Sequence, residues 1–177
     1  IQIVDYEQTR VRAPTNTLYS DWTQAVLGDN AGFNTVLMRG TFEWLRRIEL
    51  ALGPLNGAYL GLAVGDVNGD SLEDVYLCQT GGLPNRLFIQ NSDGTATDRS
   101  AWAGVDWYDR TTSALLVDLD NDGDQDLAVG TRPALLLMSN DGSGRFKLRR
   151  SLPHVTRAYT MAAADYDNDG RLDLYVC

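Results

Sequence analysis

The chain has 177 residues, of which 44% are hydrophobic and 22% are charged, and these proportions are ordinary for a globular protein. No apolar run approaches the roughly 18 residues of a transmembrane helix, so we expect no insertion into a membrane. The net charge of −9 is localised, because 13 of the 24 acidic residues lie in three short loops. The basic residues form no extended stripe, which argues against a nucleic-acid partner.

The first 58 residues differ from the rest of the chain. Residues 34–52 have apolar side chains spaced like one face of an amphipathic helix, with Asn34 as its N-cap. Residues 17–27 predict a shorter helix that ends at Gly28. We therefore predict a helical N-terminal segment or linker over residues 1–58. The chain begins without a Met or a signal-peptide pattern, so we expect a removed leader or a longer parent protein.

From residue 59 onward the sequence repeats. Three nine-residue loops rich in aspartate cover residues 66–74, 118–126 and 165–173, and their first residues are 52 and 47 positions apart. Small and apolar residues precede each loop, and a short run of β-forming residues follows it. Each loop is therefore predicted to join two strands.

Two further strands are predicted after each of the first two loops. They cover residues 86–90 and 95–100 in the first repeat, and residues 134–138 and 144–149 in the second. An Asp-Gly step separates the strands of each pair and favours a hairpin.

Four short antiparallel strands in about 50 residues are typical of one propeller blade. We predict a mainly β fold, a partial β-propeller of four-stranded antiparallel blades. The predicted blades cover residues 59–107 and 108–156, with an incomplete third at residues 157–177. Because a closed propeller needs at least about four blades, we expect either a fragment or an open segment that associates with itself.

The loops carry oxygen ligands at alternate positions, as a hard cation requires. Calcium takes about six to eight oxygens, and a turn with acids at positions 1, 3, 5 and 9 and a free carbonyl at position 7 supplies several of them. The predicted ligands are Asp66, Asn68, Asp70, the carbonyl of Leu72 and Asp74; Asp118, Asp120, Asp122, the carbonyl of Asp124 and Asp126; and Asp165, Asp167, Asp169, the carbonyl of Arg171 and Asp173.

The three predicted calcium sites are unequal. Position 6 of the loop needs a sharp turn with positive φ, which glycine adopts without strain. Gly123 and Gly170 meet this requirement, but the first loop has Ser71 there and an amide, Asn68, in place of a carboxylate. We predict up to three bound calcium ions, with the first site the weakest.

Other metal-binding loops fit less well. An EF-hand needs an acidic ligand at position 12 and helices on both sides, whereas position 12 here is Leu77, Val129 or Val176. Magnesium prefers octahedral sites that retain several waters. Calcium is therefore the expected ion.

The loops match the Asp-x-Asp-x-Asp-Gly-x-x-Asp core of the FG-GAP/VCBS repeats, and the chain resembles these integrin-α-like propellers over roughly residues 59–177. Residues 85–95, with Ala103-Gly104-Val105 after them, resemble the ASPIC/UnbV (cartilage-acidic-protein-like) branch. The resemblance implies calcium loops between the first two strands of each blade. It also implies an extracellular, periplasmic or cell-surface location and a role in adhesion or ligand binding. The sequence departs from the family at Ser71 and in residues 1–58.

Catalysis is not expected. The single histidine, His154, lies outside any recognisable motif, and a carboxylate that holds calcium stays ionised and is a poor general acid. We expect a noncatalytic segment that recognises a protein or glycan ligand. Two alternatives remain, the scaffold part of a secreted polysaccharide-acting enzyme and a module completed by self-association. Cys78 and Cys177 occupy the same phase of two repeats, so no disulfide between them is expected.

Overall fold

The computed structural model describes residues 20–39, 43–44, 47 and 60–177. Over these residues it confirms a mainly β protein with ten strands and few, short helical segments. The strands are β1 Leu62–Gly65, β2 Asp74–Leu77, β3 Arg86–Gln90, β4 Ala96–Asp98, β5 Thr111–Val117, β6 Asp126–Thr131, β7 Leu135–Asn140, β8 Phe146–Leu152, β9 Met161–Ala164 and β10 Asp173–Val176. The helices are α1 Thr23–Leu27 and α2 Ser100–Ala103, and a π-helical turn covers Phe33–Leu37.

The strands form two four-stranded antiparallel sheets and one hairpin, each in sequence order: β1-β2-β3-β4, β5-β6-β7-β8 and β9-β10. The first strands of successive sheets are adjacent, with β1 beside β5 and β5 beside β9. This arrangement of short meanders, stacked with their first strands together, confirms the predicted partial propeller.

Each aspartate loop closes the first hairpin of its sheet in the same register. The residue before the loop pairs with the last aspartate of the loop in all three cases: Gly65 with Asp74, Val117 with Asp126, and Ala164 with Asp173. The three loops therefore lie at equivalent ends of their hairpins, as the repeat predicts.

The core lies between the first two sheets and follows from the alternation of side chains along each strand. In β1, Ala63 faces the core, whereas Leu62 and Val64 are exposed. The buried cluster comprises Ala63, Val67, Tyr76, Cys78, Leu87, Ala103, Val105, Leu127, Val129, Met138 and Phe146. Both cysteines are free thiols, as expected.

Two glycines allow the close approach of neighbouring sheets. A Cβ added at Gly61 would lie 2.6 Å from the Cα of Ser113, and one at Gly130 would lie 2.8 Å from the Cβ of Ala158. Any larger residue at these points would force the stacked sheets apart, so the stacking depends on the absence of a side chain.

The predicted helix over residues 34–52 is wrong at its start. Gly32, with φ of 85°, is the N-cap in place of Asn34, and only the π-helical turn Phe33–Leu37 follows before Met38 ends it. The run Asn34-Thr35-Val36 has weak helix propensity, and the buried Phe33 anchors the turn instead. Glu43 and Trp44 are α-helical, as predicted, and residues 40–42, 45–46 and 48–52 of this prediction lie outside the described residues.

The shorter predicted helix, residues 17–27, is present from Thr23 to Leu27, and residues 17–19 lie outside the described residues. The predicted boundary at residue 58 and the blade limits stay predictions. Asn30 attaches this N-terminal segment to the first sheet. It donates from Nδ2 to the Ala96 carbonyl at 2.7 Å and accepts from the Asp98 amide at 2.6 Å. The open edge of β4 is thereby partly covered.

The predicted strand over residues 95–100 ends early, because α2 begins at Ser100. Asp98 accepts a hydrogen bond from the Ser100 amide at 3.0 Å, and Gly104, with φ of 75°, ends the helix. An aspartate before and a glycine after a short apolar run is the signal that the sequence analysis missed.

Candidate metal centres in the three loops

Position 1 is the aspartate that begins each loop: Asp66, Asp118 and Asp165. Its carboxylate accepts hydrogen bonds from the backbone amides of positions 5 and 6 in every loop. The distances are 3.2 and 2.7 Å to Asp66, 3.2 and 3.0 Å to Asp118, and 3.0 and 3.0 Å to Asp165. These bonds curl the chain around the first carboxylate, so the turn is built by residues that are close in sequence.

Position 9 is the aspartate that ends each loop and begins the next strand: Asp74, Asp126 and Asp173. Its carboxylate accepts a hydrogen bond from the position 2 amide in all three loops, at 3.0, 3.0 and 3.1 Å. In the first two sheets it also accepts from the amide of Gln90 or Asn140 on the third strand, at 2.8 Å in both cases. Position 9 therefore ties the loop to two other parts of its sheet.

The position 9 carboxylates of the first two loops are buried, with 0% of Asp74 and 1% of Asp126 exposed. Burial raises the pKa of both carboxyls, and repulsion from the neighbouring loop aspartates raises it further. Buried carboxylates crowded by like charges are stabilised in their ionised form when a cation binds between them.

Positions 4 and 6 both have positive φ. At position 6 the values are 67° for Ser71, 96° for Gly123 and 85° for Gly170, as the sequence analysis predicted. At position 4 they are 75° for Gly69, 61° for Asn121 and 58° for Asn168, which it missed. The available signal was that glycine or asparagine, the residues that adopt this conformation most easily, occupies position 4 in every loop.

The carboxylates of positions 1, 3 and 9 converge in the second and third loops. Oxygens of Asp118, Asp120 and Asp126 lie within 4.8 Å of one another, and so do those of Asp165, Asp167 and Asp173. Asp122 and Asp169 are not part of these groups, and each accepts a hydrogen bond from the amide of position 7, at 3.0 and 2.8 Å.

The first loop has a different interior. Asp66, Asp70 and Asp74 form no comparable group within the described part of the chain. The side-chain amide of Asn68 donates to Asp70 at 3.0 Å, while its oxygen accepts from the Asp70 backbone at 3.1 Å. An amide that is already paired in this way is a weaker ligand than the carboxylate at position 3 of the other loops.

Asp120 provides the test of whether these residues fit a cation. Its Oδ1 is buried without a hydrogen-bond partner, and its Oδ2 accepts from Arg149 Nη1 at 2.7 Å. An unpaired buried carboxylate oxygen is costly, and a hard cation among three carboxylates would satisfy it. The all-oxygen donor set fits such an ion. Arg149, which lies in β8, was not identified from the sequence as part of a site.

Carboxylates with a perturbed pKa also occur away from the loops. In Asp21, Asp93 and Asp141 the pKa is lowered, chiefly by hydrogen bonds from a threonine or serine two residues later. Asp93 and Asp141 hold turns and Asp21 precedes α1, and a lowered pKa makes a carboxyl a poor general acid.

Comparison with known proteins places these loops in a described repeat. A family model for the FG-GAP-like repeat matches residues 66–129 and 118–176. Cartilage acidic protein 1 of Xenopus tropicalis is 32% identical over 136 residues, which cover 72% of this chain and 20% of that protein. The human protein of the same name is 33% identical over 124 residues, which cover 65% of this chain and 18% of that protein. The chain thus spans about a fifth of the length of the curated relatives that it matches. None of the described helices has the length and apolar character needed to cross a bilayer.

Proposed function

Because this chain belongs to the family of FG-GAP-like repeats, we propose that its three aspartate loops bind calcium and thereby stabilise a noncatalytic propeller segment of an extracellular recognition protein. The observation that carries the proposal is the convergence of three carboxylates in each of the second and third loops. In the second loop, Oδ1 of one of the converging carboxylates, Asp120, is buried and unpaired. The ligands are those predicted from the sequence, with the first site the weakest.

The stabilising effect follows from the connections of position 9. Asp74 and Asp126 each hold the position 2 amide of their own loop and an amide of the third strand. A bound ion supplies positive charge that removes the repulsion between the loop carboxylates. The same carboxylates then hold the loop, the second strand and the third strand in one arrangement, so calcium affinity adds to folding stability.

The extracellular location rests on the family and on the chemistry of the loops. Calcium sites of extracellular modules work at about 10⁻⁴–10⁻³ M, a range that suits exposed loops such as that of Asp165 to Asp173. The ligand of the assembled protein is a protein or a glycan. The blades that we propose for this chain are residues 59–107, 108–156 and the partial blade 157–177, after an N-terminal segment of residues 1–58.

The first experiment is calcium titration of the EDTA-treated chain by calorimetry, with thermal unfolding measured in parallel. We expect uptake of up to three ions and a clear rise in melting temperature, with a smaller effect of magnesium. Asp120→Asn should remove or weaken one site. Asp141→Asn, a matched change in an exposed turn, should not. No uptake at millimolar calcium, together with an unchanged melting curve in EDTA, would contradict the proposal.

Self-association is a second candidate function, and the outer face of the first sheet favours it. Leu62 and Val64 are 57% and 53% exposed there. An apolar cleft of about 510 Å³ lies between this face and α1, with Val75, Leu77 and Phe88 in its lining. A second copy of the chain could cover this face. Light scattering should then give a dimer or larger species that Val64→Glu converts to monomer, whereas a monomer at high concentration would exclude this candidate.

A further inference from the structure

We propose that the three loops bind calcium with positive coupling, transmitted from the first loop to the second by Asn140 and from the second to the third by Asn121. This inference rests on the proposed function, because it concerns the same sites. It assigns a role to two asparagines that are not themselves predicted ligands.

Asn140 is the last residue of β7 and is only 5% exposed. Its side-chain Nδ2 donates to the carbonyl of Val67 in the first loop at 2.8 Å and to the carbonyl of Gln125 in the second loop at 3.0 Å. Its backbone amide donates to Asp126 Oδ1 at 2.8 Å, and its Oδ1 accepts from the Gly144 amide at 3.1 Å. One buried side chain therefore contacts two loops and has its own hydrogen bonds satisfied.

These contacts fall next to predicted ligands in both loops. The Val67 carbonyl belongs to the peptide that precedes Asn68, and the Gln125 carbonyl belongs to the peptide that precedes Asp126. The Val67 amide in turn donates to Asp74 at 3.0 Å. A change in the orientation of either peptide moves the Asn140 amide group and hence the peptide in the other loop.

Asn121 makes the equivalent connection between the second and third loops. It is at position 4, with φ of 61°, and its Nδ2 donates to the carbonyl of Gly170 at 2.7 Å. The Gly170 carbonyl belongs to the peptide that precedes Arg171, whose own carbonyl is a predicted ligand. The Gly170 amide donates to Asp165 at 3.0 Å, so Asn121 contacts the turn that encloses the third site.

The expected sign of the coupling follows from two opposing effects. Ordering one loop fixes the asparagine that holds the next, so the second binding event pays less conformational entropy and is favoured. Filling one site also reduces the negative potential at its neighbour, which disfavours the second ion. This electrostatic effect is screened over about 8 Å at roughly 0.15 M salt, whereas direct hydrogen bonds are not. At that salt concentration the positive coupling should dominate.

Each loop contains an amide that reports its occupancy separately. The position 6 amides of Ser71, Gly123 and Gly170 donate to the position 1 carboxylates at 2.7, 3.0 and 3.0 Å, so calcium bound by those carboxylates will shift their NMR signals. Titration with calcium alone then gives a half-saturation concentration for each loop.

The test measures the half-saturation calcium concentration of the third loop, with the second loop either intact or disabled by Asp120→Ala. We expect disabling the second loop to raise the half-saturation calcium concentration of the third by about fivefold, the low end of typical coupling. Asn121→Gly should abolish this rise, since glycine adopts the same φ without the side-chain hydrogen bond. Asn168→Gly is the matched control. It makes the same change at position 4 of the third loop, where φ is 58°, and the rise should persist.

The link between the first two loops is tested with Asn140→Ala and the Ser71 amide as reporter. Gln90 is the matched control, because its backbone amide donates to Asp74 as that of Asn140 does to Asp126, each at 2.8 Å. Gln90→Ala should leave the coupling unchanged, and Asn140→Ala should remove it. If Asn140→Ala does not fold, the Asn121 experiment decides the proposal.

The outcomes separate this inference from the proposed function. If no reporter amide responds to calcium, the proposed function fails. If all three respond but Asp120→Ala leaves the other loops unchanged at about 0.15 M salt, calcium binding stands and the coupling is overturned. A negative coupling that weakens with added salt, or a coupling that survives Asn121→Gly, overturns it as well.

Discussion

Replacing Ser71 with glycine should stabilise the first loop. Ser71 is at position 6 with φ of 67°, a conformation that costs an L-residue about 1–2 kcal/mol and costs glycine almost nothing. Its exposed side chain contributes little, and the hydrogen bond from its amide to Asp66 at 2.7 Å is retained in the variant. Glycine has the higher conformational entropy in the unfolded chain, and this offsets about 0.4–1 kcal/mol of the strain that is relieved.

The net gain in free energy of unfolding is therefore about 0.5–1 kcal/mol, which corresponds to roughly 1–4 °C in melting temperature for a chain of this size. Thermal unfolding in EDTA measures it without any contribution from calcium. Gly123→Ser is the reciprocal control, because φ is 96° there. A Cβ at that position would meet no atom within 4 Å, so any loss reports the backbone conformation alone.

The two substitutions should act in opposite directions. If Ser71→Gly is neutral or destabilising while Gly123→Ser is tolerated, the backbone conformation at position 6 does not limit loop stability, and strain at Ser71 does not weaken the first site. If both behave as expected, calcium titration of Ser71→Gly should also show tighter binding at the first loop, since less strain opposes the bound conformation.

Further predictions concern residues outside the loops. Arg149→Ala should tighten calcium binding at the second loop by up to about fivefold, because it removes a cation that competes for Asp120, and titration of the loop measures it. Asn85→Ala should lower the free energy of unfolding in urea by about 2–4 kcal/mol, because Asn85 is fully buried and bonded to three partners. Burial raises the pKa of the Cys78 thiol to about 12, so in a Cys177→Ser chain it should label slowly until the fold opens. The same shift destabilises the fold as pH rises above about 9, because only the unfolded chain then ionises the thiol.

Each of these predictions has a matched comparison. Arg150→Ala changes the neighbouring residue of β8 and should leave the second loop unaltered. Asn91→Ala, in the turn after β3, should cost far less than Asn85→Ala, because its partners are only partly buried. For Cys78, labelling as fast in the folded chain as in urea at pH 8 would show that the first sheet opens readily.

The loops and the blade pattern could be predicted because the interactions that build them are local. Position 1 contacts amides four and five residues later, and position 9 contacts an amide seven residues earlier. Such contacts depend on residue type and spacing, which are visible in the sequence. Short runs of β-forming residues and Asp-Gly turns identified the strands, although β7 and β8 run a few residues beyond the predicted limits. Local rules failed where the chain's preferences for two backbone conformations differ little, as in the π-helical turn and in α2.

Residue spacing alone therefore determined the repeat and the hairpins, and it predicted the oxygen ligands of each loop. Only the tertiary structure decided which residues of one repeat reach another. Asn140 lies 73 residues from Val67, and Asn121 lies 49 residues from Gly170. These partners meet because successive sheets stack at a distance set by core packing and by the close approaches at Gly61 and Gly130. That distance depends on all the buried side chains together, so no local pattern contains it.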